Sequence, residues 1–403
     1  MSKTIVIVGA MDTKGQEFAF VKALIEQAGV KTLTVDFGVM GAPAFAPDVQ
    51  RDAVAAAGGA NLADFAAGEH KDKAMQAMAA GLAVIVRKLY DEGKLDGIIG
   101  MGGTGGTSIA TTAMRALPVG VPKVMVSTVG GGDVSAYCGA KDITFMPSIV
   151  DVAGINKISR TIYANAAGAI AGMVQVTAPA AAQEKPLLTA SMFGNTTKCI
   201  DQARGILEAQ GYEVLVFHAT GTGGKTMESL ITDGYIVGSL DITTTELADE
   251  VCGGVFSAGP ERCLAASRAG IPAVLVPGCV DMANFGGIDT VPEKYRSRNL
   301  YQWNPNVTLL RTNVEENIRM GKMLAAAANA ATAPVAIVLP LKGVSMLDSP
   351  GGMFWEPAAD QACYDAIKAN VKPGIPVIEM DNNINDPEFS AKCATLLLEM
   401  LKK

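Results

Sequence analysis

Histidine is almost missing from this chain: its 403 residues include only His70 and His218. A multi-histidine metal site is thereby excluded, and any histidine-based catalytic triad must use one of these two. The seven cysteines are scattered, odd in number and contain no Cys-x-x-Cys pair, so no cysteine zinc site or dithiol redox motif is encoded. Reduced, mostly buried thiols in a cytoplasmic protein are the expectation. Apolar runs such as VAIVLPL end after seven or eight residues, well short of the about 20 that span a bilayer. The opening MSKTIVIVGAMDTKG has too short an apolar part for a signal peptide and runs directly into a strand pattern. Basic clusters are also missing. With 33 Lys and Arg against 40 Asp and Glu, the net charge is −7, which argues against non-specific binding to nucleic-acid phosphates.

Glycine, by contrast, is abundant. The 44 glycines, about 11% of the chain, exceed the usual ~7% and gather at the ends of apolar runs. Those runs (KTIVIV, KTLTVD, LDGIIG, PKVMVST and others) are continuous rather than alternating, and they alternate with helical patterns. That is the signature of parallel strands covered on both faces. The length suits two domains, and Pro179–Pro186 (PAAAQEKP) is the best linker. The expected architecture is α/β: two tandem doubly wound, Rossmann-like domains, residues 1–182 and 183–403.

The densest glycine stretch is LDGIIGMGGTGGTS, Leu95–Ser108. It reads as a buried strand, a turn nearly free of side chains, and a helix start. Backbone N–H groups there can approach an anion at the positive end of the helix. Gly102, Gly103, Thr104, Gly105, Gly106 and Thr107 are the candidate phosphate cradle, with Ser108 as a further hydroxyl. Gly100–Gly105 also satisfies G-x-G-x-x-G, but a dinucleotide site needs an acid about 20 residues on, ending the next strand. That strand ends in Ser127 and Thr128 instead. Other strand-end loops supply Asp12, Thr13 and Lys14 after the first strand, Asp36 after the second, and the Gly130, Gly131 run after Thr128. Lys14 suits a phosphate and Asp36 a ribose, although a helix-start lysine and a turn acid explain them equally well. Together these loops describe a mononucleotide site.

The second half carries ATGTGGKT (Ala219–Thr226), which departs from the P-loop pattern only in Ala219 at the first glycine. A small anion or substrate carboxylate is the favoured occupant. Asp241 and Glu246 in DITTTEL are the acid–base or metal-binding candidates, although T-T-E-L also fits a helix-capping signal. His218 ends an apolar strand as either a structural or a catalytic residue. Asp281, Asn284, Arg262, Arg311, Lys342, Ser345, Asp348 and Asn385 are further polar groups at strand ends. The stretch YQWNPNVTLLRT reads as irregular, with Trp303 as a packing residue. The insertion Gly38–Glu69 and the alanine-rich helices favour a lid or a homo-oligomer contact.

Taken together, GAMDTKGQE, MGGTGGTSIATTAMRALPVGVPKVMVST, FHATGTGGKTMESL, LDITTTELADEV, DMANFGG, NPNVTLLRT, LPLKGVSMLD and NINDPEF resemble the ATP-binding domain family typified by the tomato mosaic virus resistance protein. This is otherwise an uncharacterised protein family of bacteria, fungi and plants. The resemblance spans nearly the whole chain. It implies two Rossmann-like domains with ATP in the first, at Gly102–Thr107 and Asp12–Lys14. For the plant member it implies inhibition of a viral replication protein. The chain departs at Gly130–Gly132, where the family often has Ala-Ser-Gly, and at Trp303, where histidine is common. The functional expectation is an ATP-binding protein acting on a small anionic metabolite, with Mg2+ as an accompanying ion. The alternative is an ATP-gated regulatory or protein-binding module.

Overall fold

The computed structural model describes residues 3–65, 71–177 and 184–402. The chain divides into two units, Met1–Ala180 and Ala181–Lys403. Most of the expected linker, and the boundary between 182 and 183, lie outside the described residues, as does His70.

In the first unit the elements run β1 (Thr4–Gly9), α1 (Gly15–Gln27), β2 (Lys31–Asp36), α2 (Arg51–Ala57), α3 (Lys71–Asp91), β3 (Gly97–Gly102), α4 (Thr104–Arg115), β4 (Lys123–Ser127), α5 (Ser135–Cys138), β5 (Thr144–Pro147) and α6 (Lys157–Gln175). The five strands are all parallel, in the order β2-β1-β3-β4-β5. Every residue of β3 is buried, as expected for a central strand covered on both faces. One apolar layer packs Met78, Leu82 and Val86 of α3 and Ile109, Ala113 and Met114 of α4 on one face of the sheet. The other packs Phe18, Val21 and Ile25 of α1 with Tyr163, Ala167 and Ile170 of α6. Spacings of three and four residues along α1, α3 and α6, and the spacing of four from Ile109 to Ala113 along α4, place each set on one helical stripe. Asn156 starts α6 with a capping box shared with Ser159. The 38–69 insertion contains α2 and a short 3-10 turn at Leu62–Phe65, and Val49 bridges in parallel to Val35.

In the second unit the elements run β6 (Leu187–Met192), α7 (Thr197–Ala209), β7 (Glu213–His218), α8 (Thr222–Thr232), β8 (Ile236–Thr243), α9 (Thr245–Cys252), α10 (Ala265–Ala269), β9 (Ala273–Gly278), β10 (Met282–Phe285), β11 (Leu300–Asn304), β12 (Val307–Arg311), α11 (Val314–Asn329), β13 (Val335–Pro340), α12 (Pro357–Asn370), β14 (Val377–Met380) and α13 (Pro387–Leu401). The main sheet is parallel in the order β14-β13-β9-β8-β6-β7. The expected α/β class and the two Rossmann-like sheets are therefore present.

One expectation fails. The stretch read as irregular forms β11 and β12, an antiparallel hairpin that pairs with β10 in a separate three-stranded sheet. Asn-Pro-Asn is its turn, where Asn304 Oδ1 accepts the Asn306 N–H at 2.8 Å. A turn residue between two short β-prone runs is a hairpin signal, and the proline obscured it.

The helix pair α2–α3 shows how tightly the first unit is set. A Cβ on Gly81 would lie 1.8 Å from the Val54 carbonyl oxygen, a backbone atom that cannot swing aside. Replacing a mid-helix glycine by alanine normally gains about 1 kcal/mol of helix propensity. Here the overlap wins, so Gly81→Ala is expected to destabilise the protein by about 1–3 kcal/mol. Urea unfolding checks this, and an unchanged or raised midpoint would contradict the packing.

Candidate functional site

In the first unit the strand order reverses between β1 and β3, the place where open parallel sheets bind ligands. A cleft of about 190 Å3 opens there, at the carboxyl ends of the strands. The loop after β1 lines it with Ala10, Asp12, Thr13 and Lys14, the loop after β2 with residues 37–40, and the β3–α4 turn with Gly102, Gly105 and Gly106. Met75, Met101 and Ile109 form its apolar wall.

The β3–α4 turn has the geometry of an anion cradle. Gly103 is the N-cap of α4 and, having no side chain, offers its amides no capping bond. Among the described residues no other side chain caps this helix, and Thr104 is exposed at its first position. A Cβ on Gly102 would sit 3.2 Å from Gly106 Cα, so the turn closes this tightly only with glycine. Asp12 holds the Phe37–Gly41 segment beside the cleft: one carboxylate oxygen accepts the Met40 and Gly41 amides at 2.7 and 3.1 Å. Its other oxygen, Oδ1, is buried without a partner. Lys14 reaches across to the Val152 carbonyl.

The other first-unit candidates lie elsewhere. Asp36 is fully buried, and its Oδ1 accepts the Met11 and Gly38 amides at 2.9 and 2.8 Å. Burial pushes its carboxyl above the usual range. It shapes the β1 and β2 loops and is not among the residues lining the cleft. Thr107 and Ser127, both buried, hydrogen-bond each other at 2.7 Å and pin α4 to β4. Thr128 and Gly131 line a separate hollow with residues 147–151. Gly130 lies under that loop, where a Cβ would be 3.2 Å from the Pro147 nitrogen.

In the second unit the glycine loop at the start of α8 already holds an anion, one belonging to the chain itself. Glu246 Oε1 accepts the Gly221 and Gly224 amides at 2.7 and 3.0 Å. Its other oxygen pairs with Arg262 Nε at 2.5 Å. A Cβ on Gly224 would collide with this carboxylate. Arg262, fully buried, also pairs with Asp241 at 2.5 Å and Glu228 at 3.3 Å. Ser191 donates to Asp241. Burial pushes the Glu228 carboxyl up to about 7. Asp241 and Glu246 are thus brought together, as partners of one arginine. His218 stands exposed at the end of β7, the edge strand of the sheet.

A second buried arginine organises the neighbouring strand ends. Arg311 lies 2.8 Å from Asp360 and 3.6 Å from Asp348. Burial and then the Asp348 charge push Asp360 up, to about 8. Among the described residues no group of three His, Cys, Asp or Glu is placed to hold a metal ion. Asp360, Glu228, Ser191 and Asn195 escaped the sequence reading. Asp360 had a signal, because it falls on the same helical stripe as the buried Ala359, Cys363, Tyr364 and Ile367.

Residues 3–179 match the N-terminal domain, and residues 185–401 the C-terminal domain, of an uncharacterised protein family, UPF0261. The chain belongs to this family. It is 50% identical over 404 residues to a UPF0261 protein of Clostridium tetani, with all of both chains covered. It is 43% identical over 390 residues to one of Rhizobium meliloti, covering 96% of each. It is also 40% identical over 337 residues to the ToMV resistance protein Tm-1 of Solanum lycopersicum, covering 82% of this chain and 45% of the tomato chain. No helix among the described residues is long and apolar enough to cross a membrane.

The two arginine clusters make separate predictions. Glu246→Ala strips two buried amides and Arg262 of an acceptor and should cost about 3–5 kcal/mol in urea unfolding, the loss typical of a broken buried pair; a loss below about 1 kcal/mol would contradict the internal-anion role. The Asp360 carboxyl is raised above the unfolded value of about 3.9, so its contribution is fully present below that value. It is lost as pH rises through about 8. Asp360→Asn should therefore flatten the fall in thermal midpoint over that window, and a parallel fall in both proteins would refute it.

Proposed function

We propose that the first unit binds ATP at the cleft between the β1 and β3 ends. The carrying observation is the uncapped glycine start of α4, whose amides have no side-chain acceptor among the described residues, at a position where the second unit's loop has Glu246. A phosphate is the natural complement of such a helix start. Lys14, already beside the cleft, would turn from the Val152 carbonyl to a phosphate oxygen. The residues fit the group: Gly102, Gly105 and Gly106 admit close approach, and Asp12 Oδ1 lacks a partner. Asp12 is the carboxylate that would face a Mg2+ arriving with the triphosphate, since Mg2+ usually takes one or two carboxylates plus phosphates. At about 190 Å3 the cleft is smaller than the ~300–1,000 Å3 of whole-ligand pockets. Part of the nucleotide would therefore lie outside it. The choice of ATP rests on the family resemblance.

Within this reading the protein is an enzyme that uses the nucleotide on a small anionic metabolite at the strand ends of the second unit. A nucleotide-gated binding module is the second reading. It is favoured by the commitment of Asp241 and Glu246 to Arg262, which leaves neither carboxylate available as a base. The name of the tomato relative, a resistance protein, points the same way.

Calorimetry with ATP and Mg2+ tests the binding. A Cβ on Gly105 meets only the flexible Met75 side chain, at 3.3 Å, so Gly105→Glu should fold normally while placing a negative charge in the cradle. Its affinity for ATP should fall at least tenfold, about 1.4 kcal/mol. Unchanged affinity would overturn the site. Release of phosphate or ADP in the presence of pooled organic acids would select the enzyme over the binding module.

A further inference from the structure

The buried charges around Arg311 do not balance. Asp281, Asp348 and Asp360 share its neighbourhood, and all three are buried. Among the described residues Arg311 is the one cation at ion-pair distance from two of them, Asp360 at 2.8 Å and Asp348 at 3.6 Å. Among those residues Asp281 forms no ion pair, so its carboxylate is the one left without a matching charge.

Asp281 is fully buried at the carboxyl end of β9. Its Oδ2 accepts a hydrogen bond from Ser345 Oγ at 2.9 Å, while Oδ1 has no partner. Two amide oxygens nearby are in the same condition, Oδ1 of Asn195 (2% exposed) and Oδ1 of Asn385. Contacts tie the three into one cluster. Asn385 Nδ2 donates to the Asn195 carbonyl at 2.9 Å, and the Met346 amide donates to the same carbonyl at 3.2 Å. The Asn195 side-chain amide meets the sulfur of Met282, the residue after Asp281, at 3.3 Å. The loops after β6, β9, β13 and β14 are thus joined, and the unpartnered atoms of Asp281, Asn195 and Asn385 are all oxygen acceptors. Buried acceptors of this kind are costly unless a donor or a positive charge joins them.

We infer that Asp281, Asn195 and Asn385 form a binding site for a small monovalent cation, either a potassium-sized ion or a primary ammonium group. One unbalanced carboxylate with neutral amide oxygens suits a single positive charge. A divalent ion would call for more carboxylates, and no such group is placed for one among the described residues. Amide-type oxygens are also what replaces water around potassium in proteins. The site lies wholly in the second unit and does not depend on the nucleotide reading.

Thermal melts of the intact protein test it, at constant ionic strength made up with tetramethylammonium chloride, which is too bulky for the cluster and donates no hydrogen bond. Burial and the neighbouring Asp348 charge push Asp281 up to about 7, so the melts are run about one pH unit higher, where a proton does not compete. Replacing tetramethylammonium by potassium or ammonium should raise the midpoint by about 2–4 °C, the shift that ~1 kcal/mol of linkage gives at this size. A response to methylammonium or ethanolamine but not to the free ions would support the same site, with a metabolite's amino group as occupant. Asp281→Asn should abolish the response. Should that variant fail to fold, Asn385→Ala is expected to weaken the response several-fold while keeping the fold. Equal midpoints in all the salts would overturn the inference, and so would a full response retained in Asp281→Asn or Asn385→Ala.

Discussion

The first N–H groups of a helix have no partner within it, and two glycine turns of this chain meet that need in opposite ways. At the start of α8 the acceptor is built in: Glu246 lies against the Gly221 and Gly224 amides, anchored by Arg262. At the start of α4 no side chain among the described residues supplies a cap. The same backbone chemistry is therefore closed in one unit and open in the other. The two turns also differ in place. The α4 turn follows β3 at the reversal of strand order, whereas the α8 loop follows the edge strand β7. A P-loop-like string does not by itself leave a helix start open, because here Glu246 already accepts the Gly221 and Gly224 amides.

Charge in the second unit follows a similar rule. Arg262 gathers Glu228, Asp241 and Glu246, and Arg311 gathers Asp348 and Asp360 with Asp281 close by. Each arginine faces more carboxylates than it can neutralise. Burial raises the carboxyls of Glu228, Asp281 and Asp360, and the neighbouring carboxylates Asp241 and Asp348 add to the rise. Removing one member of such a set leaves the others uncompensated, so these clusters fix the loops they join even where they catalyse nothing.

The sheets and helices were legible because continuous apolar strands and glycine-ended helices are local patterns. The β3–α4 turn was legible for the same reason: its glycines lie within one short string. Asp36 was legible as the acid that ends β2, but the inward turn of its carboxylate to the Met11 and Gly38 amides depends on tertiary packing. The pairing of Asp241 and Glu246 with Arg262 was hidden for a similar reason, since it arises only through tertiary packing. The β11–β12 hairpin was hidden by a proline that reads as irregular chain.

The proposed ATP site requires α4 to present its first amides to a phosphate. Hydrogen exchange with and without saturating ATP and Mg2+ addresses those amides directly. Slowed exchange is expected across Gly102–Ser108, with no change at Gly221–Gly224, where Glu246 is already bound. Unaltered exchange at Gly102–Ser108, or protection confined to Gly221–Gly224, would contradict it.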